Sequence, residues 1–472
     1  MRNIFIGLMI FLGLTMSSCT GILDGVNDNP NELTPDDVNP EFFLTGAQLA
    51  NTLAQCGHLN RISGLWSGQL TGFTSLYSNI YGYSISTAES VDEWSHVYVA
   101  TVTNVRLIRD KAVGDNLLIG IAKVMEAHAV GTMAILMGDV PYSQIGDFDI
   151  PDPVFDSQRS VLTAMIALLE DGITDLDNAV SRDLPQDIHF EGDATMWKAA
   201  AYTLIARYYL IMKDYGSAYT AAQNGIADGG SSMKYFPRGD ASITEGDKNL
   251  FWTILEGSRT GDIGTGDSYM MQLLDSGNGN YRGNAKTDET ARFGYFKVDE
   301  SGGAANTGVI EQFEPHNMVT YAENQLILAE CGARTQSFAV GLGHLNDLRA
   351  WLNTGEFLNA NWNTEPFSYE AYEDADFMNG GMENADNMDM TRALLREIVE
   401  ERYISGFGMY MAFNDARRLR KSDGDISVPF PLNPSSATQH PERMPYSDDE
   451  LNSNSNAPTD DPGIYSVTEV NQ

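Results

Sequence analysis

Apolar side chains recur along most of this chain with a helical period of about 3.6 residues. Phe42–Leu53, His96–Ile108 and Leu117–Met137 each present such a face, the last closed by Gly138. Arg159–Ala179 sets Val161, Leu162, Met165, Leu168, Leu169, Ile173 and Leu176 on one stripe. Three pairs follow: Thr195–Lys213 with Ser217–Ala227, Val319–Ala333 with Gly343–Asn353, and Met390–Gly406 with Met409–Lys421. Helices joined across short turns predict stacked hairpins of the tetratricopeptide kind. Trp197, Ala201, Leu204, Tyr208, Ala218 and Ala222 follow that consensus loosely, without a fixed repeat length. Polar stretches at 60–95, 138–158, 228–318, 354–389 and 422–472 interrupt the helices and are rich in Gly, Asn, Asp, Tyr and Trp. Loops of such length inside a folded domain are usually functional. A short strand is expected at Phe293–Val298. The pattern predicts a mainly α fold of tetratricopeptide-like helical hairpins with long loop insertions.

The first residues depart from it. Arg2 precedes an apolar run from Ile4 to Leu14, followed by Met16-Ser17-Ser18-Cys19. The run is shorter than the roughly 20 residues of a membrane span and has the anatomy of a cleaved export signal over 1–18. The residues before Cys19 resemble a bacterial lipobox, so Cys19 is expected to become a lipidated N-terminus; an ordinary secretory signal with a chance cysteine is the alternative. Acyl chains there, at about 0.8 kcal/mol per buried methylene, would hold the protein at a membrane. Residues 19–39, rich in Asn, Asp, Gly and Pro, read as the tether, and 40–472 as a single domain.

Charge then narrows the function. The 472 residues carry 65 acidic and 29 basic side chains, a net charge of −36. A nucleic-acid binder needs a basic footprint, and this chain has none; attachment to anionic lipid by charge is excluded on the same ground. Hydrophobic residues at 42% set the chain apart from acidic disordered proteins. Beyond Cys19, Cys56 and Cys331 can pair or can lie as small buried apolar groups, and the second reading is preferred.

Catalytic and metal signatures are missing from the sequence. Seven histidines show no HExxH and no close pairing. Gly261–Asp267 lacks the Lys-Ser/Thr of a phosphate loop, and no G-x-S-x-G occurs. Glu370–Asp389 is acidic but lacks the ligand spacing of a calcium loop. Neither a cofactor nor a metal is expected. What stands out is the aromatic content of residues 64–83, GLWSGQLTGFTSLYSNIYGY. A ring can cover the C–H face of a pyranose while neighbouring amides and hydroxyls bond its hydroxyl groups. Trp66, where a helical pattern gives way to Gly, Ser and Asn, is the leading ligand-binding candidate, joined by Tyr77, Tyr81 and Tyr83. Tyr281, Arg282 and Trp362 in later polar loops are secondary candidates. For each ring, plain packing is the competing reading.

Several segments resemble the SusD/RagB family of outer-membrane nutrient-binding lipoproteins. They are Asp139-Val140-Pro141-Tyr142 after Gly138, Phe155-Asp156-Ser157-Gln158, Gly192-Asp193 leading to Trp197-Lys198, and Tyr321-Ala322-Glu323 followed by Ala329-Glu330. Glu400-Glu401-Arg402 leading to Asp415-Ala416-Arg417-Arg418, and Arg443-Met444-Pro445-Tyr446 with Glu450, Asn452 and Asn454, complete the series in family order. Asp288–Phe293 departs from the family's pattern in lacking a proline. The resemblance implies a SusD-like fold and a non-catalytic lipoprotein facing the cell exterior at the outer membrane. Such a protein captures glycan, in some members peptide, and closes over a SusC-like TonB-dependent transporter barrel. These motifs transfer fold and no ligand contacts; Tyr142 and Trp197 read as packing. The rival functions are a surface glycoside hydrolase, which needs two carboxylates about 5–10 Å apart, and a binder of peptide or another nutrient on the same fold.

Overall fold

In the computed structural model, which describes residues 38–147, 149–243, 246–434 and 436–472, the helical segments fold as pairs. The expected export signal, Cys19 and most of the tether lie outside the described residues. Helix α1 (Phe42–Cys56) turns at Gly57 into α2 (His58–Trp66), and α3 (Ser75–Tyr81) follows. Against α1 packs a continuous helical run, α over Val91–Trp94, π-helical over Ser95–Val102 and α again in α4 (Thr103–Lys111). Next, α5 (Asn116–Met137) and α6 (Gln158–Asp177) run antiparallel. Lys123 on α5 bonds Asp171 and Asp175 towards the end of α6, while Gln158 at its start donates to Ala134 O at 2.8 Å. By length and composition α5 could cross a membrane, but 94% of its apolar window is buried, so it serves as the central core helix.

The remaining pairs are α7 (Ala194–Ile211) with α8 (Tyr215–Ala222) and, after α9 (Thr290–Phe296), α10 (Tyr321–Thr335) with α11 (Phe338–Leu352). Last come α12 (Met390–Ser405) and α13 (Met411–Leu419). Pair stacks on pair through α6 on α7, α8 on α10, and α10 on α12. The helices start where the sequence supplies a cap. Asp115, Ser157, Asp193, Asp214, Thr320, Ser337 and Asp389 each accept a backbone N–H in the first turn, a contact that contributes about 1 kcal/mol. Gly341 allows α11 to approach α10 closely: a Cβ there would meet that of Ala333 at 2.5 Å.

Buried ion pairs fasten the last hairpins. Arg418 donates to both oxygens of Glu330 at 2.7 and 2.8 Å, and with Arg402 it flanks Asp415. The family-like segments meet in space. Asp156 accepts the backbone N–H groups of Tyr142 and Ser143, and Tyr446 donates to Asp139 O at 2.8 Å. Trp197 Nε1 donates to Asp187 at 2.7 Å. These residues hold the fold together, as packing and hydrogen-bonding groups.

Among the described residues four short antiparallel pairings stitch the loops to this frame: β1 (Thr71–Gly72) with β5 (Ile263–Gly264), and β2 (Val140–Pro141) with β3 (Phe155–Asp156). The others are β4 (Met233–Tyr235) with β7 (His316–Val319), and β6 (Thr287–Asp288) with β8 (Ser368–Tyr369). The expected strand at Phe293–Val298 is corrected: most of that segment belongs to α9, which begins where Asp288 accepts the N–H and the hydroxyl of Thr290. Cys56 and Cys331 are both free and buried, and burial pushes the Cys56 thiol up to about 12.

Candidate functional site

The aromatic segment 64–83 folds inward. Trp66 ends α2 and is only 1% exposed; its Nε1 donates to Ile80 O at 2.9 Å and its ring tilts against Phe413. Tyr77 is equally buried, with its hydroxyl accepting Arg61 Nε at 2.7 Å. Tyr83 is buried too, and its hydroxyl accepts the Asn433 N–H at 3.1 Å. These rings cannot serve as an open shelf, because α2 and α3 fold them into the core. Tyr81 remains half-buried at the surface beside Asp267, where burial and that carboxylate raise its phenol. Backbone strain gathers here: Ser75, Tyr83 and Asp267 have φ of 51°, 64° and 60°, a region that bulky residues rarely occupy.

Arg282 is likewise taken from the site. Its side chain is 2% exposed and bonds Glu289, Glu397, Glu400 and Glu401. Tyr281 is half-buried, its hydroxyl accepting the Glu289 N–H at 3.4 Å at the start of α9. Trp362, also half-buried, lies across the far end of α9; its Nε1 donates to Thr307 O at 3.1 Å. Its ring covers Gly294, where a Cβ would fall 1.8 Å from Cζ3. Tyr281 and Trp362 thus flank one short helix. Tyr81 is joined to it through β1, β5 and the segment 298–300, whose carbonyls accept from Thr265 and Gly261.

Residues 292, 295 and 296 of α9 help to line a cleft of about 300 Å³. Trp351, near the end of α11, and Phe357, on the loop that follows, form one wall with ring centroids 6.0 Å apart. Tyr295 and Phe296 of α9 and Phe407 form another. Trp351 is held edge-on to Tyr321 and donates through Nε1 to Glu356 at 3.0 Å, so its orientation is fixed. Polar groups converge between the walls. Glu314 accepts from the Tyr295 hydroxyl at 2.8 Å and from Asn359 Nδ2 at 3.0 Å, and burial raises its carboxyl. Lys234 of β4 and Asn317 of β7 are register partners and both line the cleft. Burial lowers the Lys234 ammonium, with Glu314 opposing. Aromatic walls with a few converging polar groups are what small-ligand sites are made of. Trp351 lies within a helical stripe in the sequence, and Lys234, Glu314 and Asn317 carry no local signal. Phe357 and Asn359 lie in a loop whose Asn and aromatic content could have pointed to them.

Comparison with known proteins agrees with this architecture. Residues 30–404 match the family model SusD-like_2, described as starch-binding and associating with the outer membrane, and the chain belongs to that family. No curated protein matches the chain significantly. Among solved structures, a SusD/RagB family protein from Bacteroides thetaiotaomicron is 19% identical, with 89% of this chain and 95% of that one aligned at a TM-score of 0.64. A chitin-binding SusD homolog from Flavobacterium johnsoniae is 18% identical over 91% and 98% of the two chains, with a TM-score of 0.62. A SusD homolog from Bacteroides fragilis, 16% identical over 92% and 100%, scores 0.65. The shared feature is the fold.

Proposed function

We propose that this protein is a non-catalytic glycan receptor of the outer membrane, lipid-anchored through Cys19 and facing the cell exterior. In this reading it passes captured oligosaccharide to a SusC-like TonB-dependent transporter barrel. The observation that carries the reading is the cleft lined by Trp351 and Phe357, where aromatic rings stand with Asn359, Asn317 and Glu314. Trp362 and Tyr81, both half-buried, are further candidate contacts for a longer chain. An open, wetted cleft of this size is suited to dissociation constants of about micromolar to millimolar.

The test is calorimetry with the glycan that the wild type retains best in an affinity-gel panel. Trp351→Ala is expected to weaken binding about tenfold or more, the loss of a central aromatic anchor at ~1–2 kcal/mol, with the circular dichroism spectrum unchanged. Undiminished affinity in that variant would remove the cleft from the binding site, and release of reducing ends from the glycan would replace the receptor by a hydrolase.

A further inference from the structure

The charged groups that line the cleft differ in how fully they are occupied. Arg292 bonds Glu401 through both terminal nitrogens at 3.2 and 2.9 Å, and its unbonded Nε has no solvent contact. Both oxygens of Glu314 accept hydrogen bonds, and Glu356 accepts Trp351 Nε1. Ser405 donates to Glu401, while Ser232 and Thr320 accept the backbone N–H groups of Tyr321 and Glu323. Two side chains differ: among the described residues the Lys234 ammonium and the Asn317 amide make no hydrogen bond, and Lys234 has no ion pair within 4.0 Å. They stand opposite each other on the β4–β7 ladder, where paired side chains have Cβ atoms about 5 Å apart. A ligand that displaces water here must supply acceptors for both, or leave an ammonium desolvated.

We propose that Lys234 and Asn317 together receive a carboxylate, so that the glycan taken by the cleft bears a uronate or another acid-carrying sugar. The two groups offer an ammonium and an amide N–H to the two oxygens of one carboxylate, and an ionised acceptor makes the stronger bond. The protein's net charge of −36 sets a further limit. Repulsion acts over about 8 Å at physiological ionic strength, which disfavours a densely charged polymer and favours a mostly neutral chain with scattered acid groups. This inference rests on the glycan reading above.

Affinity electrophoresis in gels containing acidic polysaccharides (glucuronoxylan, pectic galacturonan), their methyl-esterified forms and neutral ones (starch, glucomannan, chitosan-free soluble chitin) tests it. The wild type is expected to be retarded most by a sparsely charged acidic polymer, and esterification is expected to weaken that about tenfold without any change to the protein. Lys234→Met is expected to bring the acidic polymer down to the affinity of its ester, and Trp351→Ala to reduce both. Retardation by neutral polymers alone, or equal binding of acid and ester, overturns the inference and leaves the receptor reading standing. An acid preference that survives Lys234→Met in a folded variant overturns the assignment to this pair. Binding to no polysaccharide at all removes both readings.

Discussion

Gly294 sets how closely Trp362 approaches α9. Since a Cβ there would fall 1.8 Å from the indole, any side chain must push the ring away. Gly294→Ala is expected to cost about 1–3 kcal/mol, as overpacking does, and to break the bond from Trp362 Nε1 to Thr307. A lowered melting temperature with altered tryptophan emission is the expected readout; an unchanged melt would mean that the loop yields freely. Trp66 answers to a different test. Its truncation to Ala empties a core position, which costs about 3–5 kcal/mol, and the folded fraction is expected to bind glycan as the wild type does. A selective loss of affinity at normal stability would return Trp66 to the site. In sequence the two tryptophans look alike, each beside Gly, Ser or Asn. What separates them is the rest of the fold: Trp66 ends a helix whose residues are almost all buried, while Trp362 sits on a loop and lays its ring over Gly294 of α9 with its Nε1 on Thr307 O. A ring's neighbours in sequence do not state which of these it will have.

Element by element, legibility follows the length of the periodic pattern. The long helices were readable because many turns repeat one apolar face, and Asp, Ser or Thr caps mark their starts. Pieces of a few residues were not, since a run such as Phe293–Val298 fits helix and strand equally until Asp288 fixes the turn at Thr290 from which α9 runs. The β4–β7 ladder, which presents Lys234 and Asn317, was invisible for the same reason. It also carries a titrating group. His316 Nε2 accepts the Leu250 N–H at 2.8 Å, which requires that nitrogen to be unprotonated, and burial lowers its pKa to about 4. An unfolded histidine titrates near ~6.5, so between these values the unfolded chain binds more protons than the folded one. Stability is therefore expected to fall as pH drops from about 6.5 towards 4. Buried His128 and His189 are lowered in the same direction and add to the slope. His316→Gln, which keeps an acceptor without the titration, is expected to flatten the urea midpoint against pH over that interval. An unchanged slope would show that His316 is not among its sources.

For the whole molecule, the architecture was legible and the candidate cleft was not, for one physical reason. Hairpins are local, whereas the cleft draws Lys234, Tyr295, Glu314 and Trp351 from four separate segments that meet only after the hairpins have stacked. The same stacking must contain the charge. Even if all 29 basic groups were paired, 36 of the 65 acids would remain without a basic partner, and their mutual repulsion opposes the compact state. Buried pairs such as Arg418 with Glu330 are shielded from salt by the protein around them. Exposed carboxylates are not: the screening length shortens from about 30 Å at 0.01 M salt to about 8 Å at 0.15 M. Added salt should then relieve repulsion more than it weakens surface ion pairs, which contribute little individually. The melting temperature is expected to rise over that range, and equally in sodium and choline chloride, because screening does not distinguish the cations. A rise with sodium alone would point instead to a bound ion, and a fall would mean that the surface pairs outweigh the unpaired acids.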